Sequence, residues 1–298
     1  MNRTAGLALA AAGAGLFVHS QARRARREHP ARGGFVRGLH YFEAGVGSSV
    51  VLLHGLGSMV EDFELSGVFA EAARHYRVTA FDRPGYGYSA RGAFTPFGQA
   101  QLLHEAFLHL GISRPVLVGH SFGALVAIAY ALAYPRHVRG LVLASGYFYP
   151  TARFDAPILI PPAIPILGTL LRHTVSPLLG RLLWPVWLRV LFSPLAVPAQ
   201  FHALAWRALQ PAQLRTVGLE SAMLLPVVNG MRRRYSKIRA PAVIVAGADD
   251  GYVSTRAHSL RLHDELRYST FIEVPGAGHM VHHAAPGMIL EAIALASR

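Results

Sequence analysis

The chain has no cysteine among its 298 residues. Disulfides, thiolate nucleophiles and cysteine-bound zinc are thereby excluded, and no redox compartment is implied. Lysine is nearly missing as well. Lys237 is the only one among 29 basic residues, so arginine carries most of the net charge of +13. An arginine-rich chain invites a nucleic-acid reading. The arginines are scattered, however, except at Arg23-Arg24-Ala25-Arg26-Arg27 and Arg232-Arg233-Arg234. No nucleic-acid signature accompanies them, and no such partner is expected. A basic surface also suits anionic lipid headgroups. Acidic residues are absent from the whole stretch between Asp155 and Glu220. The first apolar run, Ala5 to Val18, is mostly Ala and Gly and falls short of the ~20 residues a membrane span needs.

What is present is ample core material, with hydrophobic residues making up 52% of the chain. Residues 1–30 stand apart: an apolar run, then the arginine cluster. They read as a cleaved signal peptide, an uncleaved anchor or an interfacial helix. Arginines directly after a cleavage site disfavour export. An uncleaved anchor is therefore expected, with the remaining chain cytoplasmic and export as the alternative. From Phe35 to Glu43 the pattern is strand-like, one arm of a hairpin. Ser49-Val-Val-Leu-Leu53 is a continuous apolar run, as in a strand covered on both faces. A helix over Phe63 to His75 and a strand over Arg77 to Phe81 follow. Next come a helix over about Phe97 to Leu110, a strand into residue 120, a helix, and a strand over Arg139 to Ala144. This alternation marks a doubly wound, mostly parallel α/β sheet.

The segment 147–235 breaks the alternation. It is rich in proline and leucine and reads as an inserted helical cap, so 31–146 and 236–298 form the core. Frequent proline and interspersed arginine argue against full spans within it, although contact with a membrane surface fits its composition. The sheet resumes at Ala242 to Ala246. A helix near Thr255 to Leu266, a strand over Thr270 to Val274 and a closing helix from Pro286 complete the chain.

The chemistry concentrates at Gly119-His120-Ser121-Phe122-Gly123, between a strand and a helix. G-x-S-x-G in that setting is a nucleophile elbow, which exposes the serine Oγ on a sharp turn. A serine hydroxyl needs an adjacent base, itself oriented by a third group. Among 16 histidines, His279 follows the last strand in a Gly-Ala-Gly-His loop, at the edge where such sheets bind ligands. His282 and His283 lack that glycine setting and look like exposed loop residues. His120 adjoins the serine and is expected to pack beneath the elbow. Asp82, Asp249 and Asp250 follow strands on the same edge. The elbow architecture places the acid between Ser and His in the chain, which leaves Asp249 and Asp250. The Gly247-x-x-Asp250 spacing favours Asp250. Asp82 is expected to tie down its own glycine loop. The oxyanion needs fixed donors. Phe122 N–H is one candidate, and Leu56 N–H, in His54-Gly55-Leu56-Gly57, is the other. The His54 side chain then holds that loop, with Gly55, Gly119 and Gly123 giving room for close backbone.

Taken together, His54-Gly55-Leu56-Gly57, Asp82-Arg-Pro-Gly-Tyr-Gly-Tyr-Ser89, Gly119-His-Ser-Phe-Gly123, Gly247-x-x-Asp250 and Gly276-x-Gly-His279 resemble the α/β-hydrolase fold family, its serine-nucleophile, capped, esterase- and lipase-like branch. The resemblance covers about residues 35–297. It implies a Ser121–Asp250–His279 triad, an acyl-enzyme intermediate and a cap after the sixth strand. It departs from many members in having Val253-Ser254 where a proline usually follows the acid. Members that open epoxides or displace halide carry Asp at the elbow, so Ser121 speaks against both activities. The expected function is hydrolysis of a small to medium hydrophobic or lipid-like carboxylic ester, without metal or organic cofactor. Leu167, Leu170, Leu171, Leu178, Leu179, Trp184 and Trp187 are the candidate pocket walls. A C–C bond hydrolase or cofactor-free perhydrolase using the same triad is the alternative. A non-catalytic membrane-associated binding protein is a further one.

Overall fold

The computed structural model describes residues 3–298. Strands β1 (Gly34–Val36), β2 (Leu39–Ala44), β3 (Ser49–Leu53), β4 (Arg77–Phe81), β5 (Val116–His120), β6 (Gly140–Ala144), β7 (Ala242–Gly247) and β8 (Ser269–Val274) form one sheet. Their order is β1-β2-β4-β3-β5-β6-β7-β8. The first two strands pair antiparallel with their neighbours, and all later pairings are parallel. Strands β5, β6 and β7 are buried at every position, as both-face coverage requires of near-continuous Val, Leu and Ala runs.

The longer helices are α1 (Arg3–Glu28), α2 (Pro96–Leu110), α3 (Phe122–Ala133), α4 (Leu167–His173), α5 (Val175–Phe192), α6 (Pro211–Met231) and α7 (Pro286–Ala296). Helices α2 and α3 cover one face of the sheet in a cluster built on Leu103, Phe107, Leu125 and Ile128. Helix α7 and two short helices, Glu61–Leu65 and Val68–Ala72, cover the other through Phe63, Val68, Ile289 and Ile293. Helices α4, α5 and α6 belong to the insert between β6 and β7.

Two local expectations are corrected. The strand expected over Phe35 to Glu43 is a complete hairpin, because Arg37 and Gly38 both take positive φ and turn the chain between β1 and β2. The helix expected over Phe63 to His75 is two short ones, broken at Gly67, whose φ of 80° is left-handed. At the start of the chain a helix covers the apolar run. It continues through the arginine cluster to Glu28, since arginine is a good helix former.

Candidate active site

The carboxyl ends of the parallel strands carry every motif singled out above. Ser121 sits between β5 and α3 with φ 52° and ψ −115°, a strained conformation for a residue bearing a Cβ. Close packing holds it there. A Cβ on Gly123 would lie 2.1 Å from Leu53 O, and one on Gly119 would lie 2.4 Å from Gly123 O. Only glycine lets the elbow approach β3 so nearly. The Ser121 N–H donates to Ala144 O of β6 at 2.9 Å, pinning the turn from the opposite side.

Three side chains distant in sequence meet here. His279 Nε2 lies 3.1 Å from Ser121 Oγ, and His279 Nδ1 lies 2.9 Å from Asp250 Oδ2. The other Asp250 oxygen accepts the N–H groups of Tyr252 (3.0 Å) and Val253 (2.8 Å), which aims the carboxylate. All three residues are buried, whereas Asp249 is exposed. A carboxylate on Nδ1 fixes the proton there and leaves Nε2 free to accept from the serine. The row can deprotonate Oγ while a carbonyl is attacked.

Leu56 and Phe122 line the same cavity as Ser121 and His279. Phe122 is the first residue of α3, so its N–H has no acceptor within the helix. The Leu56 loop is held from below. His54 Nε2 accepts the Arg83 N–H at 3.0 Å, while its Nδ1 is 2.8 Å from Gly55 O. Burial first, and the nearby Arg83 charge second, depress the His54 imidazole to a pKa of about 4. It is a neutral strut near pH 7. The Arg83 guanidinium donates to His54 O (2.8 Å) and Gly55 O (3.0 Å), so both carbonyls before Leu56 are fixed.

The motif reading missed Arg83 and its partner Glu220. One signal was available, since Glu220 is the residue that ends the acid-free stretch.

Asp82 lies outside the row. It accepts the N–H groups of Val60 (2.8 Å) and Tyr88 (3.0 Å) and pairs with His40 Nδ1 at 2.7 Å. Beneath the elbow, His120 Nε2 donates to His279 O at 3.0 Å. The expectation that His282 and His283 are exposed is corrected, because His282 is fully buried and His283 half-buried. Their Nε2 atoms lie 3.1 and 2.8 Å from one oxygen of Asp62. Burial alone would raise the Asp62 carboxyl, but the two imidazoles hold it well below the usual carboxylate range. The His120 ring packs tilted against that of His282, with centroids 4.3 Å apart. Aromatic packing thus connects this cluster to the loop that carries His279.

A cavity of about 490 Å³ opens above Ser121, within the range of small-molecule sites. Its walls include Leu179, Trp184 and Trp187, as expected, together with Leu183, Leu191 and Val217. Leu167, Leu170 and Leu178 are corrected: they are exposed and do not line it. Leu171 does not line it either. Apolar composition does not disclose which side of an all-apolar helix faces inward. The one arginine in the wall, Arg153, is held by Asp155, which also accepts from Tyr252 OH at 2.8 Å.

Comparison with known proteins places this geometry in a family. Residues 50–292 match the model of the alpha/beta hydrolase family, and the chain belongs to it. The expected fold family is thereby met. The chain is 37% identical over 115 residues to a 2-hydroxy-6-oxo-2,4-heptadienoate hydrolase of Pseudomonas putida, a match spanning 37% of this chain and 41% of that protein. The match thus covers less than half the length of that relative. It is 27% identical over 284 residues to the 1-acylglycerol-3-phosphate O-acyltransferase ABHD5 of Homo sapiens, covering 80% of this chain and 74% of that one. Among solved structures it is similar to a meta-cleavage product hydrolase of Pseudomonas fluorescens, with a TM-score of 0.68 and 20% identity. That likeness covers 87% of this chain and 93% of the other.

Proposed function

We propose that this hydrolase cleaves a hydrophobic carboxylic ester through an acyl-enzyme formed on Ser121. The observation that carries the reading is the Ser121–His279–Asp250 row at the base of an apolar cavity. Ser121 Oγ attacks the ester carbonyl carbon as His279 Nε2 takes its proton. The Leu56 and Phe122 N–H groups receive the developing oxyanion, each such donor being worth roughly 10²–10³ in rate. Collapse expels the alkoxide, which leaves with the proton from His279. A water then attacks the acyl carbon with the same base, releasing the acid and restoring Ser121. The insert acts as the cap that keeps bulk water from the cavity. Reaction with a fluorophosphonate probe, together with turnover of p-nitrophenyl esters, tests the proposal. Both should vanish in Ser121→Ala, and a wild-type chain that takes no label sinks the reading.

The named relatives favour a second reading, cleavage of a carbon–carbon bond in a dienoate diketone by the same row. Such a substrate carries a carboxylate. Arg153, the wall's one arginine, is already paired with Asp155, so the ester is the better fit. Parallel assays on a p-nitrophenyl ester and a dienoate diketone separate the two, and a bromide and peroxide assay tests perhydrolysis.

We place the protein at a membrane through residues 1–30, with the catalytic part cytoplasmic. The apolar first half of helix α1, with Leu9 and Leu16 exposed, supports that location.

A further inference from the structure

Helix α1 is not free along its whole length. Val18 and Ala25 are buried, the helix contacts the insert, and the Phe17 ring meets Trp206 edge-on at 5.9 Å. Arg26 Nε donates to Gln210 at 2.9 Å. A Cβ on Gly15 would sit 3.7 Å from the carbonyl of His173, at the end of α4. The part not committed to the insert runs from about Thr4 to Gly15, about 18 Å at 1.5 Å per residue. A full span needs about 30 Å of hydrocarbon, and one leaflet about half of that.

Helix α5 packs against α1, and it is apolar nearly all round: Ser176, Arg181 and Arg189 are its only polar residues. A helix of that kind is ordinarily covered on every side. Here Val175 (54%), Leu178 (37%), Leu182 (74%) and Val186 (53%) are exposed. At about 100° per residue they fall within an arc of about 80°. Leu183, Trp187 and Leu191, which line the cavity, lie about 130° further round. One helix therefore forms the cavity wall with one side and an uncovered apolar stripe with another. Phe154, Ile158 and Leu179 are at once exposed and part of the cavity lining, which puts the mouth next to the stripe.

We propose that the protein docks on a bilayer in one leaflet, through the free tip of α1 and the α5 stripe, so that the cavity mouth takes its ester directly from the lipid phase. This deepens the ester-hydrolase reading and rests on it for the substrate. The occupant is lipid rather than a protein partner for two reasons. Arg189 falls inside the stripe by helical phase, where it can snorkel to a phosphate but would be stranded against an apolar protein face. The surroundings are also predominantly basic: no acid occurs between Asp155 and Glu220, and on α1 Arg23 and Arg27 are exposed while Glu28 pairs with Arg24. Apolar burial together with attraction to anionic headgroups is how interfacial helices bind.

The absence of cysteine allows a direct test on the full chain. A single cysteine is introduced by Leu182→Cys, Leu9→Cys or, as a control, Leu108→Cys on α2, and labelled with an environment-sensitive fluorophore. Vesicles of phosphatidylcholine and phosphatidylglycerol should shift the labels at 182 and 9 to the blue, and nitroxide lipid should quench both. The label at 108 should not respond. A response at 9 alone means that α1 anchors the chain without the docking face, and overturns the proposal. So does a silent 182, or a shift at 182 that depends on protein concentration without vesicles, which would indicate a second copy. The double variant Leu182→Glu, Val186→Glu should lower turnover of a vesicle-embedded ester relative to a soluble one by about tenfold. An unchanged ratio also overturns it. If no ester is turned over at all, the hydrolytic reading fails, while the labels still report whether the face docks.

Discussion

Arg83 of the core and Glu220 of the insert meet fully buried, with Nη1 and Oε1 2.7 Å apart. Gln99 Nε2 (2.7 Å) and Tyr86 OH (2.6 Å) also donate to the Glu220 carboxylate. Burial first and the carboxylate second push the Tyr86 hydroxyl well above the usual phenol value, which keeps it a donor. Because Arg83 also holds the carbonyls of His54 and Gly55, the insert is tied to the loop that presents Leu56. Glu220→Ala should cost about 3–5 kcal/mol in urea unfolding, the penalty for leaving a buried charge unpaired. Glu220→Gln keeps the shape and two of the contacts. It should fold and lower kcat on a soluble ester with KM little changed, because the proposed oxyanion donors would act only in the transition state. A change in KM alone would mean that Glu220 shapes the cavity instead.

Asp250 and Asp249 give a sharper contrast. Asp250→Asn keeps the size of the carboxylate but not its charge, and favours the wrong imidazole tautomer on His279. It should lower kcat by about 10⁴. Asp249 is exposed, and its backbone N–H, which donates to Ala277 O at 2.9 Å, survives substitution. Asp249→Ala should leave ester turnover within about twofold, as is usual for surface changes. Comparable losses in both variants would move the acid assignment.

The contrast between these two sites reflects what a sequence can carry. Elbow, strand-end loops and sheet order are written in local chemistry: glycines where backbones touch, β-branched runs between them, and strand-to-helix spacing. Ser121, Asp250 and His279, which meet in the structure, each lie in such a loop, and that made them legible as candidates. Arg83 and Glu220 are 137 positions apart, and although Glu220 stands out by ending the acid-free stretch, nothing near it names Arg83 as its partner. His282 and His283 looked exposed for the same reason, since Asp62, which buries them, lies more than two hundred residues upstream. Leu167, Leu170 and Leu178 were misassigned to the cavity because leucine content is symmetric around a helix and packing is not. The break at Gly67 was missed because an apolar pattern continues through it while the backbone does not.

Acid should destabilise the protein well above the pH at which its carboxylates titrate. His258 is buried against the segment after β6. Its Nδ1 accepts the N–H groups of Phe148 (3.0 Å) and Tyr149 (3.2 Å). A proton on Nδ1 would face two donors. Burial first depresses this imidazole to a pKa of about 4, and His54 stands at about 4 as well. The unfolded chain binds these protons near pH 6.5, before the folded one does, so stability falls as pH drops from about 6.5 towards 4. Each histidine accounts for at most about 3.5 kcal/mol at about 1.4 kcal/mol per unit. Urea midpoints measured from pH 7.5 to 4.5 should decline throughout that window. His258→Gln, which cannot take the proton, should start lower and decline less. A flat profile for the wild type would remove the argument.

The elbow itself predicts a loss without partial degrees. Gly123→Ala puts a methyl group 2.1 Å from Leu53 O and 2.7 Å from His54 O. Both atoms are backbone, in β3 and at the start of the oxyanion loop, and no side-chain rotamer can relieve the clash. Either α3 withdraws from β3 or the loop carrying Leu56 moves. Withdrawal opens the core and should abolish soluble expression. Movement should leave a folded chain that still takes the fluorophosphonate label slowly but turns over ester at least about 10²-fold less, the loss expected for a displaced oxyanion donor. Gly57→Ala is the control, because its Cβ position has nothing within 4 Å. Its φ of 74° still strains an alanine, at about 1 kcal/mol. It should cost stability of that order while leaving ester turnover far closer to wild type than Gly123→Ala does. Equal losses of turnover in the two variants would show that backbone strain, rather than the approach of α3 to β3, limits the site.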